Sequence, residues 1–148
     1  LLSIGKEGRN ITTEKALAFI EGVGLVIDFT ARDLQSEAKK KGHPWTVAKG
    51  FDTFTAISAL KPASHYPDLQ NLKLELKVND QVRQNDSTSL MLFTIPDILH
   101  HLTQVVTLQP GDLIMTGTPK GVGPVFEGDY ITGSLNGEQL MHHHVSQA

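Results

Sequence analysis

The chain has 148 residues, of which 39% are hydrophobic, and its formal net charge at pH 7 is -3. This length and composition fit one globular domain, and the acidic balance argues against a nucleic-acid partner. Without cysteine there can be neither disulfides nor thiolate metal sites, which is usual for cytoplasmic proteins. No apolar run approaches the roughly 18 residues of a membrane span. We therefore expect a cytoplasmic protein with a single domain over residues 1–148.

The first two predicted elements are a short helix and a buried strand. The helix begins at Thr12 or Thr13, whose hydroxyls suit a cap, and runs to about Phe19. The strand covers Gly22–Ile27, which is apolar on both faces. Asp28 follows directly, so a carboxylate is expected at the end of a buried strand.

A longer helix is predicted next. Thr30 and Asp33 have the spacing of a capping box, in which a hydroxyl and a carboxylate satisfy the first N–H groups of a helix. The helix should end in the cationic run Lys39–Lys41, which suits the negative end of the helix dipole. Gly42 then stands where a residue with left-handed backbone commonly closes a helix.

The second half of the chain is predicted to consist mostly of strands. Apolar and charged residues alternate over Leu72–Val78, and Asn79-Asp80 predicts a tight turn into Gln81–Gln84. The later predicted elements are a helix at about Pro96–Val105 and strands at Asp112–Thr116, Tyr130–Leu135 and Gln139–Val145, the last two joined by a turn at Asn136-Gly137. The predicted fold class is α+β, with mainly antiparallel strands and a few short helices around one core.

The stretch Asp28–Gln35 is the first that could carry chemistry. A carboxylate on rigid scaffold at a strand end suits a hard cation such as Mg²⁺. Arg32 and Gln35 are three residues apart, so they share a helix face and could point together at a bound anion. The alternative is structural: Asp28 would be a second cap, and Arg32 would pair with a surface carboxylate.

Two further stretches are candidates. Lys49 lies among small and apolar neighbours, where a partly buried ammonium would polarise a substrate oxygen. Taken alone, such a lysine is more often solvated, and Trp45 beside it is expected in the core. The segment Gly111–Pro124 runs from a strand into a loop rich in glycine and proline, and its pattern alone favours a structural loop.

The run His142–His144 is interpreted as part of an exposed edge strand. Neighbouring side chains in a strand point to opposite faces, so at most His142 and His144 could share a metal ion. No carboxylate at a suitable spacing completes such a site.

The three candidate stretches occur together and in order, and they resemble the fumarylacetoacetate hydrolase family, above all its acylpyruvase and oxaloacetate decarboxylase branch. The resemblance rests on Asp-x-Thr-Ala-Arg-Asp-x-Gln at 28–35, the segment around Lys49, and Thr-Gly-Thr-Pro-x-Gly-Val-Gly-Pro at 116–124. It covers the chain from Ile4 to the final predicted hairpin. It implies the family's fold, a mixed β-sandwich roll with a few short helices, without its N-terminal part.

The resemblance also implies roles for single residues. Asp28 matches an aspartate ligand of Mg²⁺ or Mn²⁺, and the remaining ligands, a Glu-x-Glu pair, are expected upstream of Leu1. The family's general base, a histidine on a lid, is expected there too. Lys39 stands where larger members carry a substrate-contacting tyrosine, which argues against fumarylacetoacetate as substrate. Other matches are Arg32, Gln35 and Lys49 as catalytic residues, Gln35 and Thr118 as substrate contacts, and Thr53 as a residue near the metal.

The implied activity is metal-dependent hydrolysis of a carbon–carbon bond in a 2,4-dioxo acid of the acylpyruvate type, through an enolate that the metal ion stabilises. Oxaloacetate decarboxylation and keto–enol tautomerisation or isomerisation would use the same site and stay open as alternatives. A non-catalytic member used for binding or assembly is a second class of hypothesis. That hypothesis predicts that matched residues have been lost, yet all of the matched residues are present. The resemblance also implies a homodimer.

Overall fold

The computed structural model describes residues 1–146. They form two compact units, one built from residues 1–25 together with those from 59 onward, the other from Val26–Ser58. The architecture is α+β with antiparallel sheets and a few short helices, which confirms the predicted fold class. The single domain expected over residues 1–148 stays a prediction.

The strands and helices follow one another as short elements. In chain order they are β1 (Leu2–Ile4), α1 (Thr13–Ala16), β2 (Ile20–Val23), β3 (Val26–Asp28), α2 (Arg32–Lys40), α3 (Thr46–Lys49), β4 (Thr55–Ile57), β5 (Lys61–Pro62), β6 (Lys73–Val78), β7 (Gln81–Ser87), α4 (Ile95–Val105), β8 (Leu113–Ile114), β9 (Tyr130–Leu135) and β10 (Glu138–His144). A 3₁₀ turn at Leu17–Phe19 prolongs α1, so the helix predicted to run to about Phe19 is present, but no side chain caps it at Thr12.

The first unit contains two four-stranded sheets, with the strand orders β5-β2-β1-β8 and β10-β9-β6-β7. Every pairing within them is antiparallel. The core includes side chains that are almost completely buried: Ile4, Leu99, Ile131 and Leu135. β10 lies at an edge of its sheet, and His142 and His144 on it are exposed, as expected of an edge strand.

Both predicted hairpin turns are present. Asn79 and Asp80 have φ angles of 51° and 64°, and Asn136 and Gly137 have 50° and 85°. Two successive residues with positive φ define the type I′ turn, whose twist matches that of the flanking antiparallel strands. The turns therefore fix β6 against β7 and β9 against β10.

The second unit pairs β3 with β4 and carries the helices α2 and α3. The end of α2 follows the prediction. Gly42 has a φ of 66°, and the backbone N–H of His43 donates to the carbonyl of Ala38 at 2.9 Å, as in a Schellman closure.

Two predictions of local structure are wrong. The apolar run Gly22–Ile27 is not one strand, because β2 ends at Val23 and β3 begins at Val26. β2 pairs with β1 and β5, whereas β3 pairs with β4. An apolar run predicts burial, but it does not show which partner strand each half will find.

The capping box expected at Thr30 and Asp33 does not form either. α2 begins at Arg32 with Ala31 as its cap residue, and no side chain caps it. The Thr30 hydroxyl has other partners, described below.

Smaller differences concern Trp45 and the strand predicted at Asp112–Thr116. Trp45 is 48% exposed rather than in the core. β8 covers only Leu113–Ile114, because those two residues are the ones that face partners on β1. Among residues 1–146, no helix is long and apolar enough to cross a membrane.

Candidate active site

The site is built around the point where β3 ends. Asp28 is the last residue of β3 and lies opposite Thr55 on β4. Directly after it, the N–H of Phe29 donates to the carbonyl of Phe54 at 2.9 Å. The strand pairing therefore holds the backbone of Asp28 from one side.

A second backbone contact fixes the short helix α3 beside this strand end. The N–H of Ala31 donates to the carbonyl of Ala48 at 3.0 Å, and Ala48 is almost fully buried. Lys49 is the next residue, so the position of its backbone is fixed relative to the segment that follows Asp28. Two residues far apart in sequence are thereby brought to one place.

Lys49 forms an ion pair with Asp28, from Nζ to Oδ2. The same ammonium donates to the hydroxyl of Thr30 at 2.8 Å, and that hydroxyl donates to the backbone carbonyl of Asp28 at 3.2 Å. The Lys49 and Asp28 side chains are 31% and 45% exposed, so the cluster can still be reached from outside. An ammonium has three N–H donors, and the third remains for another oxygen.

Arg32 and Gln35 form the second contact among the predicted site residues. Nη1 of Arg32 donates to Oε1 of Gln35 at 2.7 Å. A guanidinium can only donate, so the carbonyl end of the amide faces Arg32 and the NH₂ end is free to donate elsewhere. Arg32 therefore orients Gln35, and among residues 1–146 it pairs with no carboxylate.

Thr53 lies in the turn between α3 and β4, at a φ of 67°. A β-branched residue is uncommon in this left-handed region. Its strained conformation is a feature often found near functional sites. Within residues 1–146, no hydrogen bond joins Thr53 to Asp28 or Lys49, so its predicted role near a metal stays a prediction.

Thr118 belongs to the other compact unit, in the loop that follows β8. It is exposed, and its hydroxyl accepts a hydrogen bond from Nε2 of Gln84 at 3.0 Å. Sequence reasoning missed Gln84, which lies in a strand whose pattern gives no functional signal. It also missed Thr30 as a partner of Lys49, because its spacing indicated a helix cap.

Asp28 suits a hard divalent cation as one ligand. Oδ2 is held by Lys49, and among the described residues no hydrogen bond reaches Oδ1. Mg²⁺ commonly takes one or two carboxylates and keeps several waters. The part of the chain that the structure describes has no group of three or more His, Asp or Glu side chains that could hold a metal ion. Asp28 would thus be one member of a ligand set.

A carboxylate beside an ammonium at a strand end, and an amide held with its NH₂ free on the helix that follows, are groups that can bind an anionic oxygen compound. The sequence model described as "Fumarylacetoacetate (FAA) hydrolase C-terminal" matches residues 2–145. The chain belongs to the fumarylacetoacetate hydrolase family.

Curated relatives that are similar in sequence include a tautomerase and a decarboxylase. The chain is 48% identical to "Oxaloacetate tautomerase FAHD1, mitochondrial" of Bos taurus, over 90% of this chain and 61% of that protein. It is 44% identical to "Oxaloacetate decarboxylase, mitochondrial" of Dictyostelium discoideum, over 90% of this chain and 62% of that protein. The chain thus spans about three fifths of the length of the curated relatives it matches.

A solved structure shares the fold. The fumarylpyruvate hydrolase of Pseudomonas aeruginosa, in complex with Mn²⁺ and pyruvate, superposes with a TM-score of 0.93 and 32% identity. The match covers 99% of this chain and 63% of that one. The family's fold, expected from the resemblance, is confirmed.

Proposed function

We propose that the protein is an enzyme that uses a divalent metal ion and acts on a small 2-oxo acid through its enolate. The observation that carries this proposal is the position of Lys49 between Asp28 and Thr30. It holds a positive charge beside a carboxylate suited to a hard cation. Mg²⁺ or Mn²⁺ would be held by Asp28 together with further ligands, and when bound it supplies Lewis-acid polarisation of the substrate's oxygens.

Lys49 would stabilise negative charge that develops on a substrate oxygen. Two of its three N–H groups are used by Asp28 and Thr30, so the third can donate to that oxygen. The ammonium is already oriented, so little reorganisation is needed when the charge appears. The stabilisation that Lys49 provides would therefore increase as negative charge develops on the substrate oxygen.

Gln35 would donate a hydrogen bond to the substrate through its NH₂ group. Its carbonyl end is held by Arg32, so the donor end is the one presented. We assign Gln35 to substrate binding and charge stabilisation, and Arg32 to positioning Gln35. Thr118 would supply a hydroxyl to the substrate.

The candidate reactions share one chemical requirement. Tautomerisation of oxaloacetate moves a proton from C3 to the C2 oxygen. Decarboxylation breaks a carbon–carbon bond, releases CO₂ and leaves the enolate of pyruvate to be protonated. Hydrolysis of an acylpyruvate adds water to the acyl carbonyl and releases the same enolate beside a carboxylic acid. In all three, negative charge on an oxygen next to a carboxylate has to be stabilised.

Two candidates are supported by specific observations. Oxaloacetate as substrate is favoured by the relatives that are 43–48% identical and carry the name oxaloacetate tautomerase. Acylpyruvate hydrolysis is favoured by the similarity to the fumarylpyruvate hydrolase structure. The non-catalytic alternative is less well supported, because the ion pair Asp28–Lys49 and the hydrogen bond Arg32–Gln35 hold these side chains in an arrangement suited to catalysis.

The three reactions can be separated with the purified protein in the presence of Mn²⁺ or Mg²⁺. Oxaloacetate enol is followed by ultraviolet absorbance, decarboxylation by pyruvate formation, and hydrolysis by loss of acetylpyruvate. We expect metal-dependent turnover of oxaloacetate or acetylpyruvate above the uncatalysed rate, which EDTA removes. Rates equal to the uncatalysed ones in all three assays would contradict the proposal.

A further inference from the structure

The loop that carries Thr118 is attached to β7 by side chains rather than by backbone pairing. It follows β8, and residues 115–125 form neither helix nor strand. Within the described part of the chain, no backbone hydrogen bond between strands or across turns holds this loop. Something else must fix the hydroxyl of Thr118.

Gln84 supplies that attachment. Its Nε2 lies 3.0 Å from Thr118 Oγ1, 2.8 Å from the carbonyl oxygen of Pro119 and 3.4 Å from that of Lys120. An amide NH₂ has two hydrogens, so the two shorter contacts are the main hydrogen bonds. One side chain therefore holds the backbone and the hydroxyl of the loop at the same time.

The course of β7 aims Gln84 at the loop. Leu76 on β6 faces Gln84, whereas the next residue, Lys77, faces Val82. Arg83 is thus an extra residue, and such β-bulges commonly redirect neighbouring side chains. The loop passes close over this bulge, because a Cβ on Gly121 would lie 2.0 Å from the carbonyl oxygen of Arg83.

The direction of the hydrogen bond decides what Thr118 can do. Its Oγ1 accepts a hydrogen bond from Nε2 of Gln84. That nitrogen cannot accept one from Thr118, since an amide nitrogen is a donor only. The hydroxyl hydrogen is then free, and no described residue accepts it. Thr118 is left to donate, and a carboxylate or keto oxygen is the partner that such a donor fits.

We propose that Gln84 is a positioning residue, which holds Thr118 so that its hydroxyl donates to an oxygen of the 2-oxo acid. This inference rests on the proposed function. Gln84 itself would not touch the substrate. Because the hydrogen bond from Thr118 would be present before and during the reaction, it should contribute to binding, and its loss should raise KM rather than lower kcat.

Three variants test this. Gln84→Leu removes both donor hydrogens. Gln84→Glu keeps the size of the side chain but reverses its polarity, so that the carboxylate accepts the Thr118 hydrogen and faces the two carbonyl oxygens. Thr118→Val removes the hydroxyl. We expect each to raise KM for the substrate that the wild type turns over by about 10-fold, the effect of one hydrogen bond to a charged group, with kcat nearly unchanged.

The control is Gln81→Leu, on the same strand, where the exposed glutamine makes no side-chain hydrogen bond to the described residues of the loop. Its KM should stay at the wild-type value. Circular dichroism and thermal unfolding check the fold of every variant. A variant that is merely less stable would lose active enzyme and so lower the apparent kcat, without the change in KM.

The double variant Gln84→Leu/Thr118→Val shows whether the two residues act together. If Gln84 works through Thr118, the double variant should have the KM of Thr118→Val alone, whereas independent effects would multiply to about 100-fold. A multiplied effect, or a folded Gln84→Glu protein with wild-type KM, would overturn the inference and leave the proposed function intact. A wild type without turnover of any 2-oxo acid would contradict the proposed function, and the inference with it.

Discussion

Two lysine–carboxylate pairs lie in the unit Val26–Ser58, and their surroundings differ. Lys40 and Glu37 are three residues apart on α2, and their side chains are 72% and 55% exposed. Lys49 and Asp28 are 21 residues apart, and theirs are 31% and 45% exposed. An exposed pair on one helix contributes a few tenths of a kcal/mol. The second pair instead joins two elements and holds the ammonium in one place.

The replacement Lys49→Met should therefore reduce kcat on the order of 10²–10³-fold, as for the loss of one preorganised electrostatic donor. KM should change less, because the charge it stabilises develops in the transition state. Lys49→Arg should restore little, since a planar guanidinium does not replace a compact ammonium. Steady-state kinetics on oxaloacetate and on acetylpyruvate, with saturating Mn²⁺, measures both constants.

Lys40→Met is the matched control, because it removes a lysine from the ordinary ion pair in the same unit. It should leave kcat and KM at their wild-type values. A folded Lys49→Met protein with a near-normal kcat on both substrates would show that Lys49 has no catalytic role. If only one substrate were spared, the lysine would serve the other reaction alone.

Among the elements, α4 shows a complete capping box. The Thr94 hydroxyl accepts from the N–H of Asp97 at 3.2 Å and donates to its carboxylate at 2.6 Å, and the N–H of Thr94 donates to the same carboxylate at 3.1 Å. The hydrogen bond from the Thr94 hydroxyl, followed by that from the Thr94 backbone, lowers the pKa of Asp97 below its ordinary value of 3.8. Folding thus favours the charged form of Asp97.

Asp97→Asn should reduce the free energy of unfolding in a pH-dependent way. The pKa of this carboxylate is lower in the folded protein than in the unfolded chain. Its contribution to the free energy of unfolding is therefore fully present above about pH 3.8 and is lost as the pH falls through the pKa of the folded state. Urea unfolding of both proteins from neutral pH to about pH 3 should show two curves that converge in acid. A difference that stays constant over this range would show that the charge is not involved.

The sequence pattern Thr-x-x-Asp occurs at Thr94 and at Thr30, yet only the first forms a capping box. At Thr30 the hydroxyl accepts from Lys49, and the helix begins at Arg32 with Ala31 as its cap residue, one residue later than such a box would place it. The spacing is the same at both positions, and a local pattern contains no information on a lysine that the fold brings close from elsewhere in the chain. Local rules commonly fail at functional sites for this reason.

Other features could be predicted because they depend on neighbouring residues. The turns at Asn79-Asp80 and Asn136-Gly137 follow from residues that tolerate positive φ, and the end of α2 follows from Gly42. The split of Gly22–Ile27 could not be predicted, since it depends on which distant strands pair with each half. The same holds for Gln84, whose role depends on a loop more than 30 residues further along the chain.

For the whole molecule, the homodimer implied by the family resemblance remains a proposal. It is supported by the exposed apolar side chains of Leu90, Leu92 and Phe93, which are 66%, 95% and 68% exposed, and by sheets whose edges need a cover. Light scattering of the full-length protein at micromolar concentration should give twice the chain mass. A single species with the mass of one chain over the whole concentration range would rule out the dimer.

The dependence of turnover on Mn²⁺ in Asp28→Asn tests the proposed function most directly. Glu37→Gln, which changes a surface carboxylate in the same unit, is the control. We expect the wild type and Glu37→Gln to bind Mn²⁺ and to turn over a 2-oxo acid, and a folded Asp28→Asn protein to bind it weakly and to lose metal-dependent turnover. A folded Asp28→Asn protein with the Mn²⁺ affinity and the rate of the wild type would contradict the assignment.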